Sequence, residues 1–176
     1  MSGDKIDKQR KLDEIIEQKI YGLIDRQLRK FIKPDFTLDE VKDVNYKLAR
    51  KLKSKYGIGG IILDVDDTVR KNMMSIPDCN KDWIDFMKRE FKVVILTNGC
   101  DKRVGQYANR KEIPYIQFAK KPLKHGFHQA CNMMGLDPEN VLVIGNDIIC
   151  DILGGKLAGT YTAIVSNVNT HNKFER

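Results

Sequence analysis

The sequence has no apolar run near the roughly 20 residues that a membrane-spanning helix needs, and its longest run, residues 59–63, ends at Asp64. Cysteine is scarce. The four cysteines lie far apart and form no C-x-x-C pair, which argues against a zinc ribbon or a disulfide scaffold and is typical of a reducing cytosol. The first eleven residues are polar, so we expect no signal peptide. These absences predict a cytoplasmic protein.

Charge of one sign is in moderate excess. The 176 residues include 31 Lys and Arg against 24 Asp and Glu, a formal net charge of +7. Hydrophobic residues make up 41% and charged residues 31%, which indicates a folded domain rather than a disordered chain. A positive surface attracts phosphate-bearing partners, whether nucleic acid, anionic lipid or small phosphate esters, and does not choose among them.

Residues 8–32 repeat apolar side chains at spacings of three and four, which predicts one amphipathic helix that stops at Pro34. We expect residues 1–33 to form an N-terminal helical extension and residues 34–176 to form the main domain. Because Lys and Arg fill much of the other face, one hypothesis is that the helix lies on an anionic membrane and makes the protein peripheral to it. The alternative is that it packs on the domain or pairs with a second copy in a homo-oligomer.

The rest of the chain alternates short apolar runs with helical stretches. A capping box at residues 37–40, followed by an apolar stripe from Val41 to Leu52, predicts a first helix. The predicted strands then span residues 61–65, 92–97, 114–118, 141–145 and 161–165, and the predicted helices between them span 78–90, 101–111, 123–134 and 151–157. This alternation predicts an α/β fold, a parallel sheet with helices on both faces. The site of such a sheet lies beyond the carboxyl ends of its strands.

Two acids, Asp64 and Asp66, follow the first predicted strand, and as alternate residues they point the same way. Carboxylates this close repel each other unless a cation lies between them, and Mg²⁺ is the natural partner. One carboxylate could attack phosphorus to give an aspartyl phosphate, and the other could act as general acid and base. A single Asp would favour the alternative of a turn cap, whereas D-x-D-x-T directly after a buried strand does not.

The second and third predicted strands end in groups that suit a phosphoryl oxygen. Thr97 and Asn98 offer a hydroxyl and backbone N–H groups at a strand-to-helix turn. Lys121 offers a charge that can neutralise a phosphoryl group in transfer. The alternatives are an ordinary Asn-Gly turn and a solvated basic turn.

The fourth predicted strand is followed by Asn146 and Asp147 and then by Asp151. Oxygen ligands here, near the first acids, would complete a site for a hard cation, and the alternative is a cap on the next helix. Acids, a hydroxyl, a lysine and further acids thus follow successive strands of one sheet. That order is more specific than any of the groups alone.

Residues 58–165 resemble the haloacid dehalogenase (HAD) superfamily of phosphohydrolases in this order, and most closely its subfamily IIIA, the YqeG-like proteins related to phosphatidylglycerophosphatases. The closer resemblance is carried by Gly60–Asp64, Lys120–Leu123 with Gly126–Phe127, Met134–Leu136, Asp151–Gly155 and Gly159–Thr162. The resemblance implies a Rossmann-like HAD fold, Mg²⁺ as cofactor and hydrolysis of a phosphomonoester through an aspartyl phosphate.

The resemblance also implies roles by position. Asp64 would be the nucleophile and a metal ligand. Asp66 would be the general acid and base, and its backbone carbonyl would bind Mg²⁺. Thr97, Asn98 and Lys121 would bind the phosphoryl group.

The fourth motif departs from the usual YqeG-like pattern, which reads Gly-Asp five residues ahead of a second Asp. Here that first Asp is replaced by Asn146, and Asp147 follows it. Either Asn146 supplies a neutral ligand, or Asp147 takes over with the shorter spacing of other HAD members, and Asp151 is the remaining candidate. The predicted metal set is therefore Asp64, Asp66, Asn146, Asp147 and Asp151.

The spacing of the motifs bears on the substrate. Only a loop and one helix are predicted between Thr68 and Thr97, and only a helix and a strand between Thr97 and Lys121, so there is no room for a cap domain. Caps enclose small substrates, and an open site suits a phosphate on something large, with a lipid phosphate such as phosphatidylglycerophosphate as the leading hypothesis. A second copy of the chain could instead supply a lid.

Two alternatives to a lipid phosphatase remain. One is a nucleotide or sugar phosphatase. The other is a non-catalytic HAD-fold binding module on RNA or a membrane, against which the intact set of Asp64, Asp66, Thr97 and Lys121 speaks. Nucleic acid is not favoured as a partner, because the sequence has no RNP-like or zinc-finger motif.

Overall fold

A parallel six-stranded sheet forms the centre of the larger of two units, Pro34–Arg176. The computed structural model describes residues 23, 27–28, 30–71 and 74–168. The strands are β1 (Phe36–Leu38), β2 (Gly60–Leu63), β3 (Lys92–Leu96), β4 (Tyr115–Ile116), β5 (Val141–Gly145) and β6 (Tyr161–Val165). They lie in the order β1–β6–β5–β2–β3–β4, and every neighbouring pair is parallel.

The smaller unit is Met1–Lys33. Of the helix predicted over residues 8–32, the described positions 23, 27–28 and 30–31 are helical and Ile32 is not, and most of that helix lies outside the described residues. Both Leu23 and Phe31 are exposed, at 58% and 82%. Its docking to a membrane, to the domain or to another copy stays a prediction. Within the ranges that the structure describes, no helix is long and apolar enough to cross a bilayer.

Helices cover both faces of the sheet. They are α1 (Tyr46–Tyr56), α2 (Asp78–Glu90), α3 (Lys102–Arg110), α4 (Lys124–Met134) and α5 (Gly154–Ala158), with a π-helical turn over Ile148–Leu153 and 3-10 turns over Val41–Asp43 and Pro138–Asn140. The first and fourth helices end at Gly57 and Gly135, whose φ angles of 67° and 61° are the left-handed values that favour glycine.

Two apolar cores, one on each face of the sheet, explain why its strands have no polar alternation. On β2, Ile61 and Leu63 pack in the same cluster as Trp83 of α2. Ile62 packs on the opposite face, in the cluster that contains Phe127 of α4. Strands buried on both faces need apolar side chains at every position. The prediction of an α/β fold with helices on both faces is confirmed.

The helix predicted from the capping box at residues 37–40 is wrong in its first part. Phe36–Leu38 is instead an edge strand, in which Leu38 pairs with Val165 of β6. The helix begins only at Tyr46, where the Asn45 side chain accepts a hydrogen bond from the Leu48 amide at 3.1 Å. These residues pair with a strand more than 120 residues away in the sequence, and this pairing outweighs their local preference for a helix start. A local sequence pattern cannot predict such a pairing.

The centre of the sheet sets the position of the site. Leu63 of β2 pairs with Ile95 of β3 and with Ile144 of β5. Because the three strands are parallel, the residues that follow them emerge at the same edge of the sheet. The third predicted strand is shorter than expected, since only Tyr115–Ile116 pairs with β3 before the chain turns toward that edge.

Candidate active site

Asp64 extends β2 by one residue and is buried, with 8% of its surface exposed. Its amide donates to the Ile144 carbonyl at 3.0 Å, which holds the backbone in line with β5. Its two carboxylate oxygens have different partners. Oδ1 accepts from Lys121 Nζ at 2.6 Å, and Oδ2 accepts from the Thr68 hydroxyl at 2.9 Å. The carboxylate is therefore fixed in one orientation.

Lys121 lies between two carboxylates. Its ammonium group is 2.6 Å from Asp64 Oδ1 and 2.6 Å from Asp151 Oδ1, and it also donates to the Leu96 carbonyl at 3.2 Å. Burial by itself would lower the pKa of Lys121, but the charges of Asp151 and Asp64 outweigh it and raise that pKa. Burial and the charge of Asp64 raise the pKa of Asp151, while Lys121 acts in the opposite direction. The lysine is thus held in its cationic form beside Asp64.

Asn98 holds Lys121 in place through the backbone. Its Oδ1 accepts from the Lys121 amide at 2.6 Å, and its Nδ2 donates to the Lys121 carbonyl at 3.0 Å. The side chain predicted to bind phosphate is thus engaged with the lysine loop, and what Asn98 can still offer a phosphoryl group is its backbone. On either side of Ala119, Phe118 and Lys120 have φ angles of 52° and 55°, which are uncommon for side chains of this size.

Thr97 completes the phosphoryl side of the site. It follows β3 directly, is 6% exposed, and its amide donates to the Ile116 carbonyl at 3.0 Å. Its hydroxyl accepts from the Gly99 amide at 3.1 Å. This places a hydroxyl and a turn at the edge of the sheet beside the end of β2, as the sequence predicted.

Asp66 has a partner that the sequence reasoning missed. Arg70 donates from Nε and Nη2 to Asp66 Oδ1, at 2.9 and 2.8 Å, and from Nη1 to Asp101 Oδ2 at 2.8 Å. The arginine is only 1% exposed, whereas the side chain of Asp66 is 40% exposed. Both contacts between Arg70 and Asp66 are to Oδ1 of the aspartate. Asp66 Oδ2 therefore stays available on the side of Gly99. An arginine four residues after a candidate acid was the signal that could have found it.

The fourth motif separates the three candidates of the sequence analysis. Asn146 Oδ1 lies 3.3 Å from the Thr68 hydroxyl, the group that also contacts Asp64 Oδ2. Asp147 instead caps the π-helical turn, with Oδ1 accepting from two backbone amides at 2.8 and 2.7 Å. Asp151 holds Lys121 and accepts from the Asp147 amide at 3.0 Å. The structure thus brings Asn146 to the hydroxyl that contacts Asp64, whereas Asp147 contacts backbone amides and Asp151 contacts Lys121.

A glycine is required beside Asp151. A Cβ on Gly145 would collide with the carboxylate of Asp151, so the last residue of β5 leaves the space that this buried acid occupies.

The oxygens near Asp64 fit a hard cation. Asp64 Oδ2 and Asn146 Oδ1 both contact the Thr68 hydroxyl, and the backbone carbonyl of Asp66 belongs to the same loop as Asp64. Among the described residues, no group of three or more His, Cys, Asp or Glu side chains forms a metal cluster. A cation here would therefore depend on carboxylate, amide and carbonyl oxygens, which Mg²⁺ prefers, with water completing the shell.

Comparison with known proteins now decides the family. The model of the family described as haloacid dehalogenase-like hydrolase matches residues 6–159. The chain belongs to this family. The resemblance to the HAD superfamily stated from the motifs is confirmed.

Relatives of this HAD hydrolase include phosphatases. It is 33% identical over 149 residues to the probable phosphatase YqeG of Bacillus subtilis, which covers 84% of each chain. It is 24% identical over 112 residues to the human N-acylneuraminate-9-phosphatase, which covers 58% of this chain and 45% of that protein. A hypothetical protein from Xanthomonas campestris has a TM-score of 0.53 at 16% identity, with 71% of this chain and 72% of that chain covered, and supports the fold alone. The predicted phosphatase class is confirmed.

Proposed function

We propose that this HAD phosphatase hydrolyses a phosphomonoester through an aspartyl phosphate on Asp64, with Mg²⁺ as cofactor. The observation that carries the proposal is the 2.6 Å contact between Lys121 Nζ and Asp64 Oδ1. A cation at the attacking oxygen is also at the position of the incoming phosphoryl group, where negative charge accumulates in the transition state. Mg²⁺ would be held by Asp64 Oδ2, the Asp66 carbonyl and Asn146, and would supply further charge neutralisation there.

The chain's own residues account for both steps. Asp64 Oδ1 forms a bond to phosphorus as the bond to the leaving oxygen breaks, and Asp66 donates a proton to that oxygen. Water then attacks phosphorus, Asp66 takes the water's proton, and the bond to Asp64 breaks to release inorganic phosphate. Lys121 and Thr97 bind the phosphoryl oxygens throughout. Asp151 and Asn98 act on Lys121, one through its ammonium group and the other through its backbone.

The substrate that we propose is a large phosphate ester, with a lipid phosphate such as phosphatidylglycerophosphate as the leading candidate. Between Thr97 and Lys121 the chain contains only α3, β4 and turns, which supports an open site. Two large apolar side chains near Lys121 support an apolar substrate, because Phe118 is 63% exposed and Leu123 is 61% exposed. A nucleotide or sugar phosphate is the second candidate, favoured by the relative named for N-acylneuraminate 9-phosphate.

Phosphate release from a panel of lipid, nucleotide and sugar phosphates tests this proposal. The protein is assayed with Mg²⁺ and then with a chelator, as wild type, as Asp64→Asn and as Asp67→Asn. The last variant is a matched control, because it makes the same change three residues further along the same loop. We expect turnover that needs Mg²⁺, is lost in Asp64→Asn and persists in Asp67→Asn. Turnover by Asp64→Asn at the wild-type rate, or an inert wild type across the whole panel, would contradict the proposal.

A further inference from the structure

A second pocket, of about 200 Å³, opens beside the active site between α3 and the segment that leads into α2. We name it the arginine pocket and define it by six of its lining residues: Arg70, Ile76, Lys81, Arg103, Tyr107 and Arg110. Three of them, Arg103, Tyr107 and Arg110, recur at spacings of four and three along α3 and so share one face of that helix. Neither the HAD motifs nor the proposed mechanism uses this pocket.

The lining of the arginine pocket is cationic. It carries four basic side chains, and none of the described residues that line it is acidic. Three of these cations are ion-paired with acids that do not line the pocket: Arg70 with Asp66 and Asp101, Lys81 with Asp78, and Arg103 with Asp101. A concave surface lined by basic side chains favours an anionic group, because its charges sum to a positive potential there.

One of the residues that line this pocket, Tyr107, has a buried hydroxyl without a partner among the described residues. Tyr107 is 5% exposed and its Oη makes no hydrogen bond to any described residue. Leaving a buried hydroxyl unpaired costs free energy, so such a group needs an explanation. Burial, and then the charges of Asp85 and Asp82, raise the pKa of Tyr107, so the hydroxyl stays protonated and can donate. Because Tyr107 lines the arginine pocket, a ligand oxygen that reached its hydroxyl would supply the missing acceptor.

The arginine pocket adjoins the catalytic groups. A smaller pocket of about 80 Å³, which we name the leaving-group pocket, is lined by Asp66, Thr97 and Gly99 and shares Arg70 and Val104 with the arginine pocket. In the proposed mechanism Asp66 protonates the leaving oxygen, so the leaving group lies on this side of the phosphorus atom. A substrate that extends past Asp66 therefore reaches the arginine pocket next.

We propose that the arginine pocket binds a second anionic group of the substrate, a phosphate, phosphodiester or carboxylate carried by the leaving group. The inference rests on the proposed function and deepens it, since it assigns the substrate to the class of phosphomonoesters with a second anion. Arg70 has two roles: it fixes Asp66 Oδ1, and it forms part of the wall that the two pockets share. The shared chemistry is the same for a soluble bisphosphate and for a lipid headgroup.

The test compares substrates that differ only in the second anion. Alkanediol bisphosphates of increasing length are each compared with the hydroxyalkyl monophosphate of the same length, using the full chain with Mg²⁺. At the best length we expect kcat/KM to be roughly tenfold higher for the bisphosphate, mainly because KM is lower. This is the effect expected from charge-assisted hydrogen bonds to one additional anionic group. A third arm uses a short-chain lipid whose headgroup carries a phosphodiester and a terminal phosphomonoester. A gain in the lipid arm alone assigns the second anion to a lipid, and a gain in the soluble arm assigns it to a free metabolite.

Variants of the pocket sharpen the test. Arg110→Gln and Tyr107→Phe should each abolish most of the gain, whereas Arg50→Gln, an exposed arginine of α1, removes the same charge from the surface and should leave the gain intact. Tyr107→Phe has a second readout: without substrate its thermal stability should be unchanged or higher, because the hydroxyl has no protein partner to lose. A destabilised Tyr107→Phe that keeps the full gain would assign the hydroxyl a structural role and overturn the inference.

Failure of the inference and failure of the proposed function give different results. If kcat/KM for the bisphosphates is at most twice that for the monophosphates at every length, the factor expected from two equivalent ends, and the lipid arm shows no gain either, the arginine pocket is overturned while the phosphatase mechanism stays intact. Absence of hydrolysis of every monophosphate would instead contradict the mechanism on which the inference rests.

Discussion

The two acids that follow β2 are held in contrasting ways. Asp64 is buried, and its cationic partner Lys121 is bound by a second buried carboxylate, that of Asp151. The side chain of Asp66 is 40% exposed, and its partner Arg70 leaves one of its oxygens available beside an open pocket. The buried arrangement of Asp64 and Lys121, the closed side of the site, suits the phosphoryl group that every phosphomonoester shares. The exposed arrangement of Asp66 and Arg70, the open side of the site, suits the leaving group, which differs between substrates. We therefore expect Asp66 and Arg70 to determine which substrate is chosen.

Breaking the closed side should have the largest effect. Lys121→Gln removes the cation between two buried carboxylates and should lower kcat by about 10²–10³-fold and the free energy of unfolding at pH 7 by roughly 3–5 kcal/mol. Steady-state kinetics and denaturant unfolding measure the two effects. Lys120→Gln is the matched control, because this neighbouring lysine is exposed.

The loss of stability in Lys121→Gln should also depend on pH in a defined direction. Burial and Asp64 already raise the pKa of Asp151, and loss of Lys121 removes the group that opposes them. A carboxyl whose pKa is raised by folding destabilises the folded state as pH rises above its unfolded value, near 4. Lys121→Gln should therefore recover stability relative to wild type as pH falls from 7 toward 4. A stability gap that widens on acidification would contradict this account.

Breaking the open side should have a smaller effect. Arg70→Met leaves Asp66 and Asp101 without their buried partner and should reduce kcat by about 10–100-fold, the usual effect of losing a charge-assisted hydrogen bond at a reacting group. Arg70→Lys keeps the charge but not the planar fork that contacts both acids, so we expect only partial rescue. Full activity of Arg70→Met would show that Asp66 needs no positioning.

The fourth motif can be resolved by metal affinity. Asn146→Asp adds a charge next to Asp64 Oδ2 and should tighten Mg²⁺ binding by about tenfold, because affinity for hard cations rises with ligand charge. Asp147→Ala should leave the affinity nearly unchanged and lower thermal stability, since Asp147 caps the π-helical turn. Isothermal titration calorimetry measures both affinities. A large loss of Mg²⁺ binding in Asp147→Ala would reverse the assignment.

The smallest effect is expected at Asp101, behind Arg70. Hydrogen bonds from Arg103 and Arg70 hold the pKa of Asp101 well below its usual range. The stability from such a depressed pKa is present above the unfolded value, near 4, and is lost as pH falls through the folded value. Asp101→Asn should therefore cost about 1–2 kcal/mol at pH 7, with the difference from wild type shrinking in unfolding experiments below pH 4. A difference independent of pH would contradict the role of the charge.

The contrast between the two sides also explains what the sequence could predict. Asp64, Thr97 and Lys121 each follow a buried strand, and parallel strands bring their carboxyl ends together without any knowledge of side-chain contacts. The pairing of Arg70 with Asp101, 31 residues away, depends on how the turns after β2 and β3 meet, which periodicity does not contain. The edge strand β1 was missed because its pairing with β6 also depends on residues far away in the sequence.

The roles within the fourth motif show a second limit. Composition and order identified Asn146, Asp147 and Asp151 as oxygen donors but could not divide them between metal, helix cap and lysine. The direction of each side chain after β5 depends on the π-helical turn, which Asp147 caps. Asp151 was predicted as a metal ligand, which stays a prediction, and its carboxylate contacts Lys121 in the structure.

Direct detection of the covalent intermediate tests the central claim. The wild-type protein, turning over a phosphomonoester with Mg²⁺, is quenched in acid and digested, and the peptides are measured by mass spectrometry. We expect a phosphoryl group on the peptide that contains Asp64, assigned to that side chain by fragmentation and absent from Asp64→Asn. A protein that releases phosphate while no phosphoryl group forms on Asp64, or that carries it on another residue, would contradict the account.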